Sequence, residues 1–336
     1  MRPFGALVAI VAATMPAGAS AQLSHTFEQT YLAARHNWVF RARYPEADRL
    51  FNAFDYGHAV LSETLLSHQN DQAGELEHRQ FSFIVNHLLR HPPAVPLEER
   101  AIAPTFARLV PEVDAMFTWA HALHRQIYDI WADEHIGESA KDAAVAEVLR
   151  YYRSRHDLAL SATPKSMAPM EDRGYSGEFR RRYQKFNGLI WSYHWLQLVL
   201  YDVLITAPSA GAARTGVSAA ISRFHGMLAC APGRLPAAMP MAAAVSPTFA
   251  TRYPEVAAIF DNLHALHDVV SDILASPSVP PNGKRTALLA AAAEFRDDST
   301  DAISLVEWRA MARSMGADLM GGVADAPPAA PSADCQ

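Results

Sequence analysis

Residues 104–132, PTFARLVPEVDAMFTWAHALHRQIYDIWA, align without gaps with residues 247–275, PTFATRYPEVAAIFDNLHALHDVVSDILA. The shared frame is P-T-F-A-x3-P-E-V-x-A-x-F-x3-H-A-L-H-x4-D-I-x-A. Matches this dense over 29 positions mark an internal repeat, and a repeat has to be found before any fold is read from a chain. The frame finds a third copy at 40–66, which keeps Phe40, Pro45, Glu46, Phe51, His58 and Glu63 but has Asp55 at the first histidine position. A weaker fourth copy at 179–204 keeps Phe179, Arg182 and Tyr183, with Gln184 in place of the proline, and aligns His194, Gln197 and Asp202. The period is about 70 residues, four times over.

Three copies open a helix with Pro-Glu, since proline suits the first turn and glutamate its positive end. A helix of about 20 residues follows, with apolar residues at three-and-four spacing. After a loop comes a second helix, expected over 75–90, 140–158, 217–228 and 284–295, and a last amphipathic helix is expected over 301–315. Almost nothing reads as a strand. The expected fold is all-α: four tandem helical hairpins, about 36–95, 96–165, 175–235 and 245–300, plus a terminal helix at 301–316, packed as a bundle with the His-bearing first helices at the core.

The chain starts MRPFGALVAIVAATMPAGASAQ: a positive residue, a short apolar run, then Ala19-Ser20-Ala21. This reads as a secretory signal peptide over 1–21, cleaved after Ala21, so the protein is expected in the periplasm or outside the cell. The apolar run is too short for a confident membrane span, and no later segment is long enough to be one. Residues 322–336 form a Pro/Ala tail that reads as disordered. There are two cysteines, Cys230 and Cys335, the second in that tail, so a disulfide framework is not expected. Without C-x-x-C-H, covalent haem is excluded. A net charge of −6 and no basic stripe exclude nucleic acid as a partner.

Fifteen histidines stand in a chain that is 50% hydrophobic. The two special positions of the repeated helix carry Asp55/His58, His121/His124, His194/Gln197 and His264/His267. At about 100° per residue, positions three apart lie about 60° apart on the wheel, so both side chains share one face. The phenylalanine four residues earlier (Phe51, Phe117, Phe260) puts that face toward the core. A buried polar group costs free energy unless it is paired, so polar pairs on four apolar stripes point to metal. The expected ligands are Asp55, His58, His121, His124, His194, His264 and His267. The competing readings are a buried His/Asp hydrogen-bond network inherited by duplication, and non-covalent haem with axial histidines.

An acid follows five residues after the second position in each copy: Glu63, Asp129, Asp202 and Asp272. It lies about 140° round the wheel and is expected to reach a neighbouring helix, where it ligates, bridges or accepts a histidine's second ring N–H. With Gln197, these acids form the expected second shell. Tyr128 and Tyr201 share the stripe one turn on and are the candidate redox or hydrogen-bonding residues, with core aromatics as the plain alternative. His87 and His91 are also at ligand spacing but sit near the end of an outer helix, and the remaining histidines are isolated or read as surface.

Two packings follow. If all four first helices face one axis, seven ligands converge, enough for a dinuclear centre. If copies one and two form one bundle and three and four another, each holds a mononuclear site, Asp55/His58/His121/His124 and His194/Gln197/His264/His267. The shared centre is favoured. Imidazole suits zinc, copper, iron and nickel, and copper or iron is favoured, with zinc possible. Six histidines on a helical core are similar to the type 3 dicopper arrangement. The H-x4-D spacing resembles the last-helix ligand pair of haemerythrins, but their H-x3-E helix and correctly placed H-x3-H helix are absent, as are the E-x-x-H pairs of ferritin-like bundles. The expected function is an exported di-metal oxidoreductase acting on dioxygen or another small molecule. The alternatives are a metal-binding or delivery protein and a zinc hydrolase with a metal-bound water.

Overall fold

The computed structural model describes residues 26–68 and 72–324. The expected signal peptide and its cleavage site lie outside them, as does most of the tail. The fold is all-helical: among the described residues there is no strand, only an isolated bridge between Lys165 and Ala302.

Four long helices carry the repeated frame: α1 (Pro45–Ser67), α2 (Pro111–Ala132), α3 (Gln184–Thr206) and α4 (Pro254–Ala275). Three start at proline. The residue before each start (Tyr44, Val110, Tyr183, Tyr253) has φ between −144° and −130° and ψ between 58° and 67°. Proline disfavours the helical region for its predecessor, which separates each long helix from the short one leading into it. Tyr183 keeps that break although Gln184 follows it. There Glu77 accepts from Lys185 N (2.6 Å) and Phe186 N (3.1 Å) and supplies the helix start that proline gives elsewhere.

Helix α1 packs against α3 and α4, and α2 packs against the same two. Helices α2, α3 and α4 each pack against the helix that follows them, Glu138–Arg153, Ala210–Ala229 and Lys284–Arg296. The helix after α1, Ala73–Phe83, runs on as a π turn, Ile84–Leu88, and packs against α3, the helix its Glu77 caps. The helix ends also differ from the expected ones. Ser209 accepts from Ala212 N and starts its helix at Ala210 rather than 217, and a Ser304/Glu307 capping box starts the terminal helix at Leu305 rather than 301.

The acid five residues past each second position ties the copies together. Asp129 accepts from Trp38 N and Phe40 N, both at 2.8 Å, at the start of the lead-in helix Val39–Arg43. Glu63 accepts from Thr105 N (2.8 Å) and Phe106 N (3.3 Å) at the start of Pro104–Leu109. Asp272 accepts from Gly177 N (2.7 Å) and Phe179 N (2.8 Å) at Glu178–Arg182. Asp202 accepts from Thr248 N (3.2 Å) and Phe249 N (2.8 Å) at Pro247–Arg252. Each acid therefore holds the positive end of a short helix, and the ties are reciprocal: α1 holds the lead-in of α2 and the reverse, and α3 and α4 do the same. Where the lead-in helix lacks a proline, the residue two before its phenylalanine is left-handed, Trp38 at φ 66° and Gly177 at φ 70°, and its N–H joins that of the phenylalanine on one carboxylate.

The terminal helix is anchored by Trp308, whose Nε1 donates to Asp261 (2.9 Å). Asp261 also accepts from Ala242 N (2.9 Å). Burial pushes the Asp261 carboxyl up to about 7. A group raised on folding holds its proton in the native state after the unfolded chain has released it. Its contribution is complete below the unfolded value of 3.8 and is lost as pH rises through about 7. Urea unfolding of wild type and Asp261→Asn at pH 5 and pH 8 is therefore expected to shift in favour of the variant at pH 8. A gap that stays constant would show Asp261 ionised throughout.

Cys230 is disulfide-bonded, with its partner outside the described residues, a single tie and not a framework.

Candidate metal centre

The apolar stripe of each long helix brings its special positions inward. His58, His121, His124, His194, His264 and His267 are each 5% exposed or less. His58, His194 and His267, from α1, α3 and α4, each offer a ring nitrogen within 4.8 Å of the others. Ring centroids are 4.3 Å apart for His58/His267 and 5.6 Å for His58/His194. Two more adjoin the triad, His264 at 3.8 Å from His194 and His121 at 5.5 Å from His267, while the ring of Phe260 stands between His124 (5.0 Å) and His264 (4.0 Å). Phe54 (4.1 Å from His58) and Phe117 (3.9 Å from His267) wall the triad with hydrocarbon.

Hydrogen bonding divides the six. In two, His124 and His264, Nδ1 is hydrogen-bonded; in His121 it faces a carboxylate beyond hydrogen-bond reach; in all three Nε2 is bare. His264 Nδ1 lies 2.7 Å from Phe260 O; a carbonyl only accepts, so Nδ1 carries the hydrogen and Nε2 a lone pair. His124 Nδ1 lies 2.9 Å from the Tyr201 hydroxyl, which also reaches His124 O at 3.3 Å. His121 Nδ1 faces Glu99 Oε1 at 3.7 Å. In the other three, His58, His194 and His267, both ring nitrogens are bare. Nine ring nitrogens are thus buried without a hydrogen-bond partner. Burial lowers the pKa of every one of the six, reinforced by neighbouring histidines at all but His121, and brings His124 to about 3. The cluster is therefore neutral imidazole with lone pairs to spare, the form that binds a metal ion.

The remaining expected residues are placed differently. Asp55 gives Oδ2 to Arg125 at 2.9 Å, and Arg125 also holds Asp48 Oδ1 (3.1 Å) and Asn52 Oδ1 (2.8 Å). The carboxylate expected as a ligand is engaged in a buried ion pair and is not part of the triad. Glu63, Asp129, Asp202 and Asp272 accept from backbone N–H groups of lead-in helices rather than from histidines, because their position on the wheel turns them to the flank. Gln197 keeps a buried, unpartnered Oε1, while its carbonyl accepts from Tyr128 at 2.7 Å. Tyr128 and Tyr201 stack at 4.1 Å, and burial raises both hydroxyls well above the ordinary value. The groups that hydrogen-bond the histidines' Nδ1 atoms are the Tyr201 hydroxyl and the Phe260 carbonyl, while Glu99 only faces that of His121. Glu99 and Arg125 escaped the sequence reading, although a charged residue directly after HALH was a visible irregularity.

A cavity of about 820 Å³ lies elsewhere, lined by Trp195, Arg223, Met227, Arg234 and Leu319 among others, with no histidine in its wall. Among the described residues no helix is long and apolar enough to cross a membrane. The chain matches no protein-family model, no curated protein and no solved structure.

Proposed function

We propose that this chain is an exported metalloprotein whose six histidines hold a dinuclear copper or iron centre for small-molecule redox chemistry. The observation that carries the reading is the set of nine buried ring nitrogens without a partner. A structural hydrogen-bond network satisfies its own members, because a buried polar group left unpaired costs about 1–3 kcal/mol. Three of these nitrogens, one each from His58, His194 and His267, lie within 4.8 Å of one another, a convergence that makes sense when a cation sits between them. Three imidazole nitrogens on one tetrahedral metal lie about 3.3 Å apart for bonds of about 2.0 Å, so side-chain adjustment within the triad's 4.8 Å spread reaches a bonding geometry.

A shared centre is favoured over two separate sites because the triad draws on both halves of the chain. We take the four hairpins to be copies of one ancestral unit, with their histidine positions retained on a common axis and Gln197 as the position that lost its ligand. Neutral nitrogen donors suit copper, iron or zinc; copper or iron would supply one-electron chemistry with dioxygen. In that setting Tyr201 fixes His124 through Nδ1, which leaves Nε2 for the metal, and stacks on Tyr128. A second reading, metal holding without turnover, is favoured by the depth of the histidines. The disulfide at Cys230 supports an oxidising compartment and so the exported location read from 1–21.

The test is elemental analysis of mature protein purified without a His-tag. Two equivalents of copper or iron per chain are expected. Zinc alone would move the reading to a hydrolase or a structural site. No metal after reconstitution would leave the histidines as a relic of duplication and end the proposal.

A further inference from the structure

The histidines are sealed in the bundle, so a cation needs a route to them. On one side of the cluster, two buried carboxyl groups have an oxygen with no hydrogen-bond partner: Glu99 Oε1 and Asp114 Oδ1. Their residues are 6% and 1% exposed. Glu99 Oε1 is the atom 3.7 Å from His121 Nδ1. Asp114 stands two turns before His121 on the same face of α2, and burial first, then Asp114 and Asp55, push the Glu99 carboxyl well above its ordinary range. At the outer end, Arg100 reaches Asp114 Oδ2 at 3.4 Å and Glu98 at 3.6 Å, and its side chain is 60% exposed. The series therefore runs from solvent at Arg100, past Asp114, to Glu99 and the first histidine.

We infer that Asp114 and Glu99 form the entry route by which a divalent cation reaches the histidine cluster, with Arg100 as a removable plug at its mouth. This rests on the metal-centre reading above. A cation shedding water needs oxygen donors along its path, and hard carboxylates supply them before the imidazoles take over. Both acids have an oxygen to give without breaking a hydrogen bond. Arg100 opposes entry twice: it occupies Asp114, and its charge repels the incoming ion. Because it is exposed, it is free to swing into solvent.

The test separates rate from capacity. Metal-free full-length protein is mixed with cobalt(II) chloride and followed by visible absorption, and bound cobalt is counted at the end point. Glu99→Gln and Asp114→Asn are expected to load about tenfold more slowly, because an amide cannot release a proton and turn its charge on the incoming cation. Arg100→Ala is expected to load faster. All three should reach the wild-type end point. A variant that merely loosened the fold would load faster, so slowing in both acid variants is not a structural side effect. Wild-type or faster loading in Glu99→Gln and Asp114→Asn would overturn the route. If wild type binds no cobalt at the end point, the metal-centre reading itself fails, and the route with it.

Discussion

Replacing Arg125 with methionine is expected to destabilise the fold by about 3–5 kcal/mol, the cost of removing one partner from a buried ion pair. Arg125 is 6% exposed and serves Asp48, Asn52 and Asp55 through NH1 and NH2. The guanidinium is held charged: burial, the largest single cause, lowers its pKa, but Asp55 and Asp48 with their neighbours together outweigh it and raise it. Without it, Asp55 loses its ion-pair partner and must take up a proton or admit water, while Asp48 keeps only Arg41 as an ion partner, on its Oδ2. For a domain of this size the loss amounts to roughly 10 °C in melting temperature. The triple change Arg125→Met, Asp48→Asn, Asp55→Asn removes all three charges and is expected to recover much of the loss, since apolar or neutral replacements of buried ion pairs are often tolerated. Thermal and urea unfolding of both proteins check this. A loss below about 1 kcal/mol in the single variant would mean that the two acids are solvated or neutral already.

The parts of this architecture that a sequence can express are those set by position along one helix. The repeated Pro-Glu marks the starts of α1, α2 and α4, and the three-residue spacing of His121/His124 and His264/His267 puts both rings inward, because helix geometry fixes which residues share a face. What periodicity does not fix is the neighbour. The four acids reach other helices as expected, but their targets, the N–H groups of Trp38, Phe106, Gly177 and Thr248 among them, depend on how the helices dock. The same limit left two packings open, and only the meeting of His58 with His194 and His267 favours one axis for the site. Asp55 shows a second limit. By alignment it stands where histidine stands elsewhere, yet a chemical change at an aligned position changes its partner too: a carboxylate finds Arg125, which no other copy has. Glu99 was hidden for a different reason. It lies outside the repeated frame, in LEERAIAPTF just before Pro104, where nothing periodic marks it.

The apo protein should be the weaker one. Metal that binds the native state alone stabilises it by about 4 kcal/mol when free metal exceeds Kd a thousandfold, which corresponds to about 10 °C in melting temperature. Chelated protein titrated with copper(II) or zinc(II) is the direct measurement. His58→Ala, His194→Ala and His267→Ala are expected to abolish most of this gain, while His156→Ala, on the surface, keeps it. The sharper variant is His267→Leu. Both ring nitrogens of His267 are buried without partners, so in the apo protein the imidazole costs more than an apolar side chain of similar volume. His267→Leu is therefore expected to melt at or above the apo wild-type temperature and to gain nothing from metal. Stability and binding would then move in opposite directions at one residue, the mark of a side chain kept for a ligand at the expense of the fold. If His267→Leu instead lowers apo stability by several degrees, the imidazole is satisfied in solution by its neighbours, and the cluster is a hydrogen-bonded core rather than a metal centre.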